Sequence, residues 1–171
     1  MTNTPTKEKE LLIAADTFYP KVDGTLRFME EFVKRTAKHF NIALLVPFLN
    51  GRNKIKDAVS RVSYLKPSKI FKVSGYPNMG FTWGNFSKIK RSIKKSDVVF
   101  VQGPATISYF SIFYSRLMRK KTVLYIHVIT WELFAKFLPP LINKLVFKLI
   151  KRFSILSYNR CDEIIVPYHG L

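Results

Sequence analysis

Residues 11–27, "LLIAADTFYPKVDGTLR", place an apolar run directly before a bend, and the bend directly before a helical pattern. The run predicts a buried strand, and the spacing of the apolar residues from 25 to 39 predicts an amphipathic helix. A buried strand followed at once by a helix is the first step of a parallel α/β sheet. The bend between them, which contains Asp23 and Gly24, is therefore the first place to search for function.

The rest of the chain repeats this alternation of apolar runs and helical patterns. Further strands are predicted at 42–46, 98–101, 122–126 and 164–166, with a possible third strand near Val62 to Leu65. Further helices are predicted at 86–95, 105–119 and 133–159, the last broken at Pro139 and Pro140. We read "SGYPNMGFTWGN", within the less periodic segment 47–86, as a loop. The pattern predicts a Rossmann-like doubly wound parallel sheet covered on both faces.

Length and composition predict one globular domain, since the chain has 171 residues of which 47% are hydrophobic. The stretch from Val98 to Ser115 carries no formal charge and is long enough to suggest a membrane span. Gln102, Gly103 and Pro104 interrupt it, so we interpret it as strand, turn and helix.

The net charge of +18 predicts an anionic partner, either nucleic acid or an anionic membrane surface. Cys161 is the one cysteine and the N-terminus is polar, which indicates neither a disulfide framework nor a secretory signal. We therefore expect a cytoplasmic protein. No zinc-type spacing of Cys and His is present and Cys161 has no histidine nearby in sequence, so the residues give little support for a zinc site or for covalent catalysis. We also expect no cofactor.

The bend after the first strand has two open interpretations. Ligands of open α/β sheets bind beyond the carboxyl ends of the strands, and this bend lies there. Gly24 would permit close backbone approach, and the helix beginning near Thr25 would aim free N–H groups at a phosphate. Alternatively the bend is plain turn chemistry, with Gly24 present for its φ and Asp23 as the helix cap.

Three segments resemble the family-four retaining glycosyltransferases of GT-B fold. "DTFYPKVDGTLRFMEEFVKRTAKHFNIALLVP" resembles the opening of these enzymes, and "RCDEIIVP" resembles the last strand of their N-terminal domain. "SDVVFVQGPATISYFSIFYSRLMRKKTVLYIHVITWELFAKF" is similar to the members that glycosylate lipids. The resemblance implies an acceptor-side domain, one half of a GT-B fold, facing a second domain that binds a nucleotide-sugar. It implies no metal.

The second domain of this family carries a glutamate pair spaced E-x7-E, which does not occur in this chain. The chain also ends where the linker between the domains should begin. We therefore expect a half-enzyme, inactive alone: a truncated chain, a split gene product or the product of a damaged reading frame.

The resemblance also implies site residues. His127 follows a strand where the family has a histidine beside the donor sugar and the acceptor, so it is the candidate catalytic residue, with a structural histidine as the alternative. The candidate substrate-binding residues are Asp16, Asp23, Gly24, Arg27, Gly103, Trp131 and Glu132. Asp16 is interpreted as a strand-end polar contact, Asp23 and Gly24 belong to the acceptor and phosphate loop, and Arg27 faces a phosphate or solvent. Trp131 and Glu132 would lie near the acceptor, with core packing as the alternative for Trp131.

A basic amphipathic helix is predicted in "LINKLVFKLIKRFSI", residues 141–155. Its apolar stripe is Ile142, Leu145, Val146, Leu149, Ile150 and Phe153, and its other face carries Lys144, Lys148, Lys151 and Arg152. Such a helix suits peripheral attachment to an anionic membrane, where a lipid acceptor would lie. A core-packed helix with a solvated basic face is the alternative.

Two rival functions remain open. "KIKRSIKK" and the many aromatic residues are compatible with nucleic-acid binding, but no nucleic-acid module signature is present, so we expect no nucleic-acid partner. The other rival is a non-catalytic subunit that recruits a separate donor-binding chain to the membrane.

Overall fold

The structure, a computed structural model, describes residues 9–20, 22–73, 76–103, 105–127 and 140–166, with the backbone alone described for 70–73, 76 and 140–146. The strands are β1 (Glu10–Ala15), β2 (Asn41–Pro47), β3 (Arg61–Leu65), β4 (Pro67–Val73), β5 (Tyr76–Met79), β6 (Val98–Gln102), β7 (Lys121–Tyr125) and β8 (Glu163–Ile165). The α-helices of the described part are α1 (Gly24–Thr36), α2 (Trp83–Lys95), α3 (Thr106–Leu117) and α4 (Pro140–Tyr158), and Lys56–Ala58 forms a short 3-10 helix.

The main sheet has six parallel strands in the order β3-β2-β1-β6-β7-β8. The chain moves outward from β1 to β3, then returns to place β6 on the other side of β1. Ala15 pairs with Gln102 and Gln102 pairs with Tyr125, so the carboxyl ends of β1, β6 and β7 lie level. The ligand crevice of such sheets opens where the strand order reverses, here between β1 and β6. The predicted Rossmann-like doubly wound sheet is confirmed.

Helices cover both faces of the sheet, and β1 supplies alternate side chains to each. Leu12 and Ala14 pack with α2 and α3 on one face, whereas Leu11 and Ile13 pack with α1 on the other. Full burial of each large aliphatic side chain contributes about 1.5–3 kcal/mol. Because both faces are covered, the strands are apolar along most of their length, and this is why the apolar runs located them.

The loop predicted for "SGYPNMGFTWGN", residues 74–85, is wrong in part, because β5 pairs with β4 there in an antiparallel hairpin and α2 begins at Trp83. Pro77 lies in the segment interpreted as a loop, but a two-stranded ribbon consists only of edge strands, where proline is tolerated. The amide of Asn85 holds the hairpin to α2 by bonding the backbone of Lys66 and the carbonyl of Gly80. The contacts with Lys66 span 19 positions of sequence and leave no local pattern.

The uncharged stretch from Val98 to Ser115 divides into β6 and α3, as predicted. Among the described residues, every helix is too short or too polar to cross a membrane. The predicted helix at 133–159 is present as α4 from Pro140 onward, and residues 133–139 lie outside the described part.

Candidate functional site

The bend after β1 is anchored to the protein core. Phe18 and Tyr19 are buried, and the Tyr19 hydroxyl donates a hydrogen bond to Glu30 of α1. On the other side, a Cβ atom on Gly51 would lie 2.4 Å from both the Pro20 nitrogen and the Tyr19 carbonyl carbon. Because residue 51 is glycine, the loop after β2 packs closely against the bend. This contact fixes the position at which the chain enters α1.

Asp23 caps α1, because its Oδ1 accepts a hydrogen bond from the Leu26 amide at 2.9 Å. Gly24 is the first helical residue and does not have the positive φ that the turn-chemistry interpretation required, so that part of the interpretation is wrong. A Cβ atom on Gly24 would meet nothing within 4 Å. Neither backbone conformation nor crowding within the described protein thus explains a glycine here, and the space in front of it is open.

Asp16 lies just beyond β1 and caps α3. Its Oδ1 accepts from the Ile107 amide at 2.7 Å, and its Oδ2 accepts from the Ser108 amide at 3.1 Å and the Ser108 hydroxyl at 2.5 Å. Burial raises the pKa of Asp16, although the hydrogen bonds from Ser108 and Ile107 act in the opposite direction. Asp16 is thus a strand-end polar contact that positions α3, and direct contact with substrate stays a prediction.

Gly103 follows β6 with a φ of +109°, a conformation that favours glycine. Its amide donates to the Tyr125 carbonyl at 3.2 Å. A Cβ atom there would lie 3.9 Å from the Ser108 hydroxyl and 4.0 Å from Asp16 Oδ2, which is ordinary contact. Backbone conformation, rather than lack of space, therefore requires glycine at 103.

We expect Gly103→Ala and Gly24→Ala to change stability in different directions. Forcing alanine into the positive φ at 103 should lower the free energy of unfolding by about 1–2 kcal/mol. Alanine at helical, open position 24 should leave it unchanged or raise it by about 0.5 kcal/mol. Urea unfolding of the two variants measures both effects, and an equal loss in both would show that Gly24 has a role within the fold.

His127 is connected to α1 through Gln102, the last residue of β6. The Gln102 Nε2 donates to the Thr25 carbonyl at 2.6 Å and lies 2.9 Å from the His127 Nε2. An amide nitrogen can only donate, so the His127 Nε2 accepts and the neutral ring carries its proton on Nδ1. The rings of Tyr125 and Phe28 pack against the imidazole at centroid distances of 4.4 and 5.5 Å.

The imidazole of His127 is held in its neutral form. Burial lowers its pKa, and the charge of nearby Asp23 opposes this shift. Protonation would also place a second N–H against the amide of Gln102. At neutral pH the ring therefore offers one donor, the Nδ1–H, beside the start of α1.

Gln102 is the residue of this site that sequence reasoning missed. It is fully buried and connects β6, α1 and His127, whereas the sequence marks it only as an interruption of an uncharged stretch. One feature of the sequence could have revealed it, namely a glutamine at the end of the otherwise apolar strand "VVFVQ". A polar side chain buried at a strand end needs a polar partner, and here it finds two.

Unpaired polar atoms concentrate near the same edge of the sheet. Six buried side-chain polar atoms of the described residues have no hydrogen-bond partner. Four belong to Thr17 beyond β1, Asn53 beyond β2, Asn78 in β5 and Gln102, and two belong to Ser111 and Ser115 on α3. The Asn78 Oδ1 accepts from Thr106 at the start of α3. Each unpaired buried group costs about 1–3 kcal/mol, so these atoms require a water molecule, a ligand or another protein group as partner.

The structure thus brings Asp16, Asp23, Gly24, Gly103 and His127 to one edge, at the reversal of strand order. The Arg27 side chain is exposed on α1 and makes no hydrogen bond or ion pair with any described residue. Trp131 and Glu132 lie outside the described residues.

Cys161 is not part of this site. It follows α4, and burial raises the pKa of its thiol to about 12. The nucleophilic thiolate is therefore not populated at neutral pH.

The described part of helix α4 contacts α3 through Ser154 and through the ring of Phe153, whose centroid lies 5.1 Å from that of Tyr109, and Tyr158 is buried in the core. Ser154 and Ser157 are buried, and the Ser154 hydroxyl lies 2.8 Å from the Tyr109 hydroxyl. Leu149 and Phe153 are instead 59% and 56% exposed. Of these two stripe residues, Leu149 is therefore not core-packed, whereas Phe153 is partly covered by Tyr109.

Three of the four basic residues predicted on α4 have side chains that the structure describes. Lys148, Lys151 and Arg152 are exposed, and the side chain of Lys144 lies outside the described part.

Comparison with known proteins adds one family match. A family model described as Glycosyltransferase Family 4 matches residues 22–170. No curated protein matches the chain.

Among solved structures, MurG from Acinetobacter baumannii superposes with a TM-score of 0.59 at 9% identity, covering 95% of this chain and 42% of that one. A UDP-glucosyltransferase from Polygonum tinctorium gives 0.51 at 12% identity, covering 97% and 48%. DNA processing protein A from Helicobacter pylori gives 0.50 at 10% identity, covering 91% and 75%. The chain thus spans less than half the length of the first two. These identities show a shared fold alone, and one fold serves many activities.

Proposed function

The chain belongs to glycosyltransferase family 4, and from that premise we propose that it forms the acceptor side of an enzyme that transfers a sugar from a nucleotide-sugar to a membrane lipid. The observation that carries the proposal is the contact of Gln102 with both α1 and His127. It places a neutral imidazole beside an open helix start, at the reversal of strand order. In this proposal a donor-binding domain is supplied by a longer protein or by a second chain.

The start of α1 suits a phosphate of the donor. The positive end of the helix dipole and free amide groups stabilise an anion there, and Gly24 leaves space for close approach. Arg27 adds a guanidinium one turn further on. Negative charge develops on the leaving phosphate as the donor's glycosidic bond breaks, so donors aimed at this position lower the barrier. A fold neighbour named as a UDP-glucosyltransferase supports a nucleotide-sugar as donor.

The role that fits His127 is orientation rather than proton transfer. Its Nε2 already accepts a hydrogen bond from Gln102, so uptake of a proton at that nitrogen would break the contact. Its Nδ1–H remains available to donate to a hydroxyl of the sugar or the acceptor. Such a fixed donor holds the reacting groups in position without a change in its own charge.

A transfer assay tests the proposal. The chain joined to a nucleotide-sugar-binding domain is incubated with UDP-glucose, UDP-galactose or GDP-mannose and with vesicles that contain diacylglycerol and phosphatidylinositol. We expect a glycolipid whose anomeric configuration, measured by NMR, matches that of the donor, and no product from the chain alone. An inverted product, or transfer by the chain alone, would contradict the proposal.

Attachment to the membrane is proposed through α4. Leu149, Phe153 and Leu156 are exposed and lie at i, i+4 and i+7, so they share one helix face, with Lys148 and Arg152 beside them. An exposed apolar face flanked by cations suits insertion at the boundary of an anionic bilayer. Each cation near such a surface contributes about 1 kcal/mol.

Replacing Lys144, Lys148, Lys151 and Arg152 together by glutamine is expected to release the chain from vesicles that contain phosphatidylglycerol. The fold should persist, because the three described side chains are exposed. Wild-type binding should also weaken as salt rises, since charges are screened within about 8 Å at physiological ionic strength. Vesicle sedimentation measures both effects.

A matched control replaces the same number of lysines remote from α4, namely Lys34, Lys38, Lys54 and Lys56, by glutamine and should still sediment with the vesicles. Equal loss of vesicle binding in both variants would show that net charge, and not α4, holds the chain at the membrane. Binding of wild type to oligonucleotides but not to vesicles would favour the nucleic-acid alternative.

A further inference from the structure

A basic cavity opens at the amino edge of the sheet, opposite the candidate site. It measures about 600 Å³ and is lined by Arg116, Arg119, Lys120, Lys121, Arg160 and Asp162. Strand β7 runs from this edge to the other, and at about 3.3 Å per residue it separates the cavity from the His127 edge by roughly 13 Å. A small ligand in this cavity therefore does not reach the site at the carboxyl edge.

Most of the positive charge in the cavity is not neutralised by the protein. Asp162 is its one acidic lining residue, and the Asp162 Oδ2 accepts from the Thr122 amide at 2.7 Å. The ammonium of Lys121 lies 3.0 Å from Glu163, and that of Lys120 donates to the Ser96 carbonyl at 2.6 Å.

The three arginines differ from these lysines. The side chains of Arg116, Arg119 and Arg160 make no hydrogen bond or ion pair with any described residue. Cations near helix C-termini are common, because they complement the helix dipole. A helix end carries only about −0.5 charge, however, so the ends of α3 and α4 leave most of this positive charge uncompensated.

Arg119 adds an independent observation, because its backbone has a φ of +53°. It follows the end of α3, where the Lys120 amide donates to the Ser115 carbonyl at 2.9 Å, a helix-terminating contact that favours glycine at the residue before it. An arginine in the left-handed conformation is less stable there than glycine would be. The backbone conformation therefore does not explain an arginine at position 119. The place of its side chain in the lining of the cavity does.

We propose that this cavity is a second anion site, which binds a phosphate-bearing ligand through Arg116, Arg119 and Arg160. Guanidinium groups match phosphate oxygens with two parallel hydrogen bonds, and three of them suit a pyrophosphate or a phosphomonoester headgroup better than a carboxylate. The same chemistry is present in a soluble pyrophosphate and in the headgroup of phosphatidate. This site does not depend on the proposed sugar transfer, and it is separate from the surface of α4 that carries Lys148 and Arg152.

Binding of inorganic pyrophosphate by calorimetry tests the site. Replacing Arg116, Arg119 and Arg160 together by glutamine is expected to weaken binding by at least about tenfold, as three exposed charge pairs should. A control that replaces Lys34, Lys38 and Lys56 by glutamine removes the same charge and should change binding less than about twofold. Equal weakening in both variants would overturn the proposal, because it would show attraction by net charge alone.

Sedimentation with phosphatidylcholine vesicles that contain phosphatidate distinguishes the two sources of phosphate, provided that Lys144, Lys148, Lys151 and Arg152 are glutamine in every protein compared, so that attachment through α4 does not contribute. Loss of vesicle binding in the arginine variant, with weak pyrophosphate binding by wild type, assigns the site to a lipid headgroup. Tight pyrophosphate binding with unchanged vesicle binding assigns it to a soluble ligand. If wild type binds neither probe, or binds only oligonucleotides, the proposal is wrong.

The variant Arg119→Gly separates binding from folding. We expect its urea midpoint to rise, since glycine relieves the left-handed backbone, and its pyrophosphate affinity to fall about twofold to threefold. Unchanged affinity would contradict the assignment of Arg119 as a ligand.

Discussion

Turnover of the complete enzyme is expected to fall by about a hundredfold when His127 is replaced by alanine, because a positioned donor at the reacting centre is lost. The free energy of unfolding should fall by only about 1 kcal/mol, since the ring packs against Phe28 and Tyr125 in a half-buried position. The transfer assay measures turnover, and urea unfolding measures stability.

Two further variants make this prediction specific. His127→Phe keeps an aromatic ring but removes both nitrogens, so it should lose as much activity as alanine while retaining more stability. His39→Ala, at an exposed position after α1, should change neither quantity. Near-normal turnover in His127→Phe would show that the imidazole takes no part in the reaction.

The pH dependence of stability gives an independent test of the environment of His127. Burial lowers the pKa of its imidazole in the folded state below the ordinary value of 6.5. As the pH falls below 6.5, the unfolded chain therefore takes up a proton before the folded chain does. The stability of wild type relative to His127→Phe should decrease in that range and stay constant above it. A constant difference across this range would contradict a lowered pKa.

Replacing Asp16 by alanine is expected to lower the free energy of unfolding by about 3 kcal/mol. The change leaves the amides of Ile107 and Ser108 without their acceptor at the start of α3. Urea unfolding of the chain measures this loss. Asp23→Ala is the matched control, because it removes a single cap hydrogen bond and should cost about 1 kcal/mol. Equal losses would show that the cap on α3 is no stronger than an ordinary helix cap.

The same carboxyl group should make stability depend on pH in the acid range. Burial raises the pKa of Asp16 above 3.8, so the folded chain keeps this proton to a higher pH than the unfolded chain does. Its contribution to stability is therefore complete below 3.8 and is lost as the pH rises through the folded-state pKa. Asp16→Asn cannot titrate and should lack this component. An identical pH profile in Asp16→Asn and wild type would contradict the raised pKa.

The amino-acid sequence by itself determined the strands and helices of the main sheet, and through them the edge that carries the site. Burial on both faces makes each strand a continuous apolar run, and this signal is local. Since parallel strands all point the same way, residues such as Asp16, Gly103 and His127 that follow a strand had to lie at one edge. The hairpin of β4 and β5 was not predicted, because local periodicity does not reveal the pairing of two proline-containing strands.

Only the tertiary structure decided which groups meet at that edge and which faces stay open. Asp16 meets Ile107 across 91 positions of sequence, and Gln102 meets Thr25 across 77, because β6 lies next to β1. Helical periodicity likewise located α4 but not its packed face. Apolar and polar residues both recur at helical spacing, so periodicity does not show that Ser154 faces α3. That contact depends on how the two helices lie on the assembled sheet.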